Sequence, residues 1–97
     1  MSNKKLNFDI PLLDLAKSPF PDVEGKKQTV GYFLAPSLSN HNQGDPLKYF
    51  NWAIAIFNGD ALSLDESDIG TLKEFIKITP SLNNLVKAQA LKIILAD

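Results

Sequence analysis

Hydrophobic residues alternate with polar ones at the start of the chain, then recur every three to four positions over most of the remainder. In LNFDI, Leu6, Phe8 and Ile10 share one side and Asn7 and Asp9 the other. That two-residue period belongs to a half-buried strand. Pro11 ends the strand or places it on an edge. PLLDL continues as extended chain, with Leu13 and Leu15 able to face one way. AKSPFPDVEGKKQ then brings two prolines, a glycine and five charges, the composition of a loop or an irregular hairpin tip. Phe20, set between Pro19 and Pro21, is kept out of the helical region by the proline after it. Its ring is expected to tack this loop onto the core.

The period changes at Thr29. Val30, Phe33, Leu34 and Leu38 form a helical stripe, and Thr29 can cap it. Gly31 weakens this first helix, and Pro36 lacks the N–H that would bond back to Tyr32, so a kink or break is expected there. SNHNQGD is the most polar run and reads as a loop. In GDPLKYFNWAIAIFNGD, Asp45 caps a second helix, Pro46 occupies its first position and Gly59 ends it in a left-handed conformation. ALSL is a short extended connector whose Leu62 and Leu64 point the same way. Asp65, or Ser67 one step later, can cap a third helix with the stripe Ile69, Leu72, Phe75 and Ile76, and Asp65, Glu66 and Asp68 suit its positive end. Pro80 separates this helix from a fourth over PSLNNLVKAQALKIILAD. There, Leu82, Leu85, Val86 and Ile93 share a face that includes Gln89, and Leu91, Ile94 and Leu95 occupy another. The expected fold is mainly α, of the α+β class: an N-terminal extended arm or small β-hairpin followed by three to four short helices.

The 97 residues suit a single domain, with residues 1–28 as the extended arm and loop and residues 29–97 as the helical core. A hydrophobic fraction of 44% with 22% charged residues is that of a folded chain. The formal net charge is -1, and all ten basic residues are lysine. A near-neutral chain without arginine is a poor nucleic-acid reader, because bidentate contacts to guanine and phosphate favour arginine. The absence of cysteine removes disulfide, thiolate and zinc–thiolate chemistry. No apolar run has the length of a signal peptide or a membrane span. A cytoplasmic protein with no membrane role is expected.

Candidate chemistry changes this picture little. The DESD cluster at 65–68 could offer oxygen ligands to a cation, but the spacing departs from a calcium loop and helix capping accounts for the acids. Asp45 and Asp60 lie about 20 Å apart if the helix between them is straight, too far to work as an acid–base pair. Glycine-rich phosphate loops are missing. The single histidine, His41, has no neighbouring carboxylate or second histidine at ligand spacing. No catalytic residue, metal or cofactor is assigned. Asn40, His41, Asn42 and Gln43 remain a possible ligand loop for a small anion or nucleotide.

What stands out is surplus apolar surface. On the second helix Leu47, Phe50, Ile54 and Phe57 make one stripe, and Tyr49, Trp52, Ala53 and Ile56 make another. A helix apolar all round is buried on all sides. Either it is the central helix of the domain, or one stripe meets a partner chain. Trp and Tyr are enriched at interface hot spots. The expected contact residues are therefore Tyr49, Trp52 and Ile56, joined on the last helix by Leu91, Ile94 and Leu95. Two such helices suggest a homo-oligomer, a dimer first.

The run of LNFDIPLLDL, TVGYFLA, GDPLKYFNWAIAIFNGDALSLDESD and LVKAQALKIIL resembles a group of small uncharacterised proteins of tailed phages and prophages. The resemblance spans most of the chain and rests on hydrophobic positions and helix punctuation. No activity or functional residue comes with it. It implies a non-enzymatic phage-type protein acting through protein–protein contacts with itself, a phage protein or a host protein. Such a protein would lie in the host cytoplasm or travel with the virion. The implied role is a virion-assembly accessory; the alternatives are an anti-defence inhibitor and a small-ligand, nucleotide-binding module.

Overall fold

The computed structural model describes residues 3–40 and 44–96. Its elements in chain order are β1 (Lys4–Leu6), α1 (Val30–Ser39), α2 (Pro46–Phe57), β2 (Leu62–Leu64), α3 (Glu66–Ile78) and α4 (Asn84–Leu95). Four helices and a two-stranded antiparallel sheet make it an α+β fold, as the hydrophobic periods predict.

The sheet is not a local hairpin. β1 pairs with β2 across most of the chain, with Lys4 opposite Leu64, Lys5 opposite Ser63 and Leu6 opposite Leu62. A two-stranded sheet is marginal alone and needs a packed face. Leu6, Leu62 and Leu64 provide that face and are buried. The ladder stops after Leu6, earlier than the alternation in LNFDI predicts, because the arm then bonds the start of α1. Gly31 N–H donates to Phe8 C=O at 2.9 Å and Val30 N–H to Ile10 C=O at 3.0 Å. Phe8 stays in the core, whereas Ile10 comes to the surface.

Leu15 departs further from expectation: it is almost fully exposed. It sits on a turn in which Asp14 Oδ1 accepts from the N–H groups of Ala16 and Ser18. The following loop is tied down by backbone bonds, Leu12 N–H to Gln28 C=O and Phe20 N–H to Leu12 C=O. The Phe20 ring remains at the surface and does not anchor it.

Thr29 caps α1, its Oγ1 accepting from Tyr32 N–H at 3.0 Å. The helix continues through Pro36 to Ser39 instead of breaking. An interior proline costs about 3 kcal/mol. Here Pro36 is exposed, while Val30, Leu34, Ala35, Ser37 and Leu38 are buried and hold the turns on both sides of it. α1 packs closely on α2 at Gly31. A Cβ at that position would lie 2.8 Å from Ile56 Cγ2 and 3.2 Å from Phe8 O, so only glycine lets the backbones approach this far.

The punctuation of α2 matches the sequence. Asp45 Oδ1 accepts from Leu47 and Lys48 N–H. Gly59, at φ +81°, closes a double C-terminal bond, Gly59 N–H to Ile56 C=O and Asp60 N–H to Ala55 C=O. Asp65 caps α3 through Asp68 N–H. α4 begins later than Pro80 suggests. Residues 80–82 form a turn that buries Leu82, and Asn83 supplies the cap through Val86 N–H.

Polar side chains stitch the layers together. Gln89, the odd polar residue on an apolar face, grips the arm. Its Nε2 donates to Leu13 C=O at 2.6 Å and its Oε1 accepts from Leu13 N–H at 2.9 Å. This reproduces both bonds of a strand pair. Lys4 Nζ donates to Ile94 C=O at 2.6 Å, a cation at the negative end of α4. Ser81 Oγ donates to Ser37 Oγ at 2.8 Å and lies 2.8 Å from Thr79 Oγ1, so a chain of hydroxyls, two of them buried, links α1 to the α3–α4 turn.

Candidate functional site

The two apolar stripes of α2 meet different fates. Tyr49, Trp52 and Ile56 are 9%, 6% and 3% exposed and belong to the chain's own core. Tyr49 stacks on Trp52 with ring centroids 5.5 Å apart and meets Phe75 of α3 edge-on at 5.6 Å. Lys48 Nζ lies 5.9 Å from the Trp52 ring centroid and bonds Asp68 Oδ1 at 2.8 Å. The hydrogen bond and charge of Asp68 raise the Lys48 pKa against the opposing effect of desolvation, with lesser help from Asp45 and Asp65. The expected contact stripe is therefore corrected: these aromatics join α2 to α3 within one chain.

The other stripe faces outward. Leu47, Phe50, Ile54 and Phe57 are 72%, 54%, 44% and 66% exposed. Beside them, α1 and α2 leave an open groove of about 340 Å³. Ala35 and Pro36 wall one side and Phe50, Ile54 and Phe57 the other, with Ser39 and Asn58 as its polar edge. No residue lining the groove is charged. Across the stripe itself the remaining positions are Asn51 and Asn58, also neutral.

α4 does not supply a second surface. Ile94 is buried, Leu91 packs half-buried against the core, and only Leu95 is exposed. The expected three-residue patch thus divides among three environments, because Ile94 continues the buried line of Val86 and Ala90. In the polar loop, Asn40 is exposed and its N–H closes the end of α1 on Pro36 and Leu38 C=O. His41, Asn42 and Gln43 lie outside the described residues. Two acids of DESD have structural partners, Asp65 capping α3 and Asp68 holding Lys48, and Glu66 lies in the first turn of α3.

The outer stripe was legible as a stripe but not as the exposed one. The signal was Ala53, a small residue among the aromatics that marks where another helix approaches. Gly31 and Ala35 of α1 are the matching small residues. No helix among the described residues is long and apolar enough to cross a membrane. No family model, curated protein or solved structure matches the chain.

Proposed function

We propose that this protein works by contact with another protein, through the outer face of α2 and the adjoining groove against α1, and not by chemistry of its own. The observation that carries this reading is the row Leu47, Phe50, Ile54 and Phe57, left exposed together on one helix. Their exposed parts amount to on the order of 500 Å², within the range of the largest apolar patch on a monomer, which is often functional. A small-molecule site is less well supported. Such sites combine an apolar enclosure with convergent polar groups, whereas this groove is open and offers only Ser39 and Asn58 at its edge.

The narrower role of virion-assembly accessory, with inhibition of a host defence component as the alternative, rests on the resemblance in hydrophobic pattern. The contact reading is tested by placing a photocrosslinking residue at Phe50 or Ile54 and, separately, at the exposed Ile78 of α3. Discrete protein adducts are expected from the α2 positions and none from Ile78. Adducts from Ile78 alone would reject this face, and no adducts at all would reject contact as the mode of action.

A further inference from the structure

Resting on the contact reading, we infer that the occupant of this face is a second copy of the same chain, docked α2 against α2 in antiparallel orientation about a two-fold axis. Three observations carry it. The first is charge. The stripe and groove hold no charged side chain, so an identical face can be laid over them without placing like charges together. Charged groups border the Phe57 end, where Asp9, Lys26 and Lys27 line the adjoining hollows, but the residues of the stripe and groove themselves offer a partner no charge to pair with.

The second is the spacing of the stripe. Leu47 and Phe57 lie equally far from position 52, and so do Phe50 and Ile54. An axis crossing the helix there sets Leu47 of one copy opposite Phe57 of the other and Phe50 opposite Ile54, each contact occurring twice, as a closed symmetric interface requires. Shape follows the same rule. Leu47 is exposed and does not line the groove, whereas Phe57 and Asn58 at the other end of the helix do. Antiparallel docking turns each exposed leucine toward the other copy's groove.

The third is area. The row is about 15 Å long. The four side chains and the groove walls together approach the roughly 600 Å² per partner at the small end of specific interfaces. A reversible dimer is expected, not an obligate one, in keeping with a monomer whose core is already closed.

The test is sedimentation equilibrium of the full chain up to about 100 µM, with circular dichroism confirming that each variant is folded. The wild type is expected to dimerise. Phe57→Lys should weaken the dimer by at least about 30-fold, the effect of losing one hot-spot side chain. Ile78→Lys, equally exposed but on α3, should leave it unchanged. Leu47→Cys combined with Phe57→Cys should trap a covalent dimer on oxidation, since the chain has no other cysteine and the register sets each new thiol opposite the other copy's partner thiol. A monomeric wild type overturns the second-copy assignment, while the crosslinking result at Phe50 still decides the contact reading separately. A dimer that survives Phe57→Lys overturns the face, and a double cysteine variant that forms no covalent dimer on oxidation overturns the antiparallel register.

Discussion

The inner and outer faces of α2 are built from the same kinds of residue, yet one is core and the other is surface. Tyr49, Trp52, Ala53 and Ile56 turn toward α1 and α3, and Leu47, Phe50, Ile54 and Phe57 turn away. Hydrophobicity does not separate them. What does is the presence of small residues where a neighbour must come close: Gly31 admits Ile56, and Ala53 lies on the side that α1 covers. Large apolar residues state that a surface needs cover, while small ones state which cover the chain itself supplies.

The sharpest way to break this comparison is to truncate one aromatic on each face. Trp52→Ala should cost about 3–5 kcal/mol in urea unfolding, the range for a buried aromatic. Phe57→Ala, measured at low micromolar concentration, should stay within about 0.5 kcal/mol of wild type. Equal losses would erase the distinction between the faces. Next in size is Gly31→Ala. The Ile56 methyl must move from 2.8 Å, and the Phe8 and Ile56 carbonyl oxygens at 3.2 and 3.3 Å belong to the backbone and yield less easily. Overpacking of this kind costs about 1–3 kcal/mol, more than alanine's helix preference returns. A stabilised variant would show that α1 and α2 have slack.

Two further effects, the first comparable and the second smaller, test how the rest of the molecule holds the inner face in place. Gln89→Leu strands the N–H and C=O of Leu13, at about 1–3 kcal/mol. Amide exchange at Leu13 should speed up by more than that at Phe75. The least effect belongs to Lys48→Met. Because the folded pKa of Lys48 is raised, its pairing with Asp68 stabilises the protein fully below the ordinary lysine value of 10.5 and fades as pH rises through the raised one. The melting-temperature gap between wild type and variant should therefore be small near pH 8 and close at higher pH. A gap that persists would assign it to packing of the lysine stem on Trp52.

Helix ends were the most legible part of the fold. Asp45, Pro46 and Gly59 act through neighbours within a few positions, so sequence alone places them, and Thr29 and Asp65 behave alike. Pro36 does not break α1, because its local cost is outweighed by burial of the residues around it. The pairing of β1 with β2 was beyond reach for a different reason. Three-residue strands have no distinguishing pattern, and the partner of Leu6 is decided by which helices lie between. Gln89 was visible only as an exception, since its partner is backbone and leaves no trace in side-chain type. The contact face was half legible: the stripe could be read, but its exposure depends on what α1 covers.

The grip of Gln89 on Leu13 and of Lys4 on Ile94 spans 76 and 90 positions. Contacts of such long range are the slow ones in folding, because the closure of a large loop must precede them. On a ribosome the first residues emerge long before their partners. Residues 6–12 find their first partners in residues 28–31 and 62–64, but the bonds of Leu13 to Gln89 and of Lys4 to Ile94 must wait until α4 has been made. The two ends of the arm are therefore fastened last, and loss of α4 would remove both the amide clasp on Leu13 and the lysine anchor at Ile94.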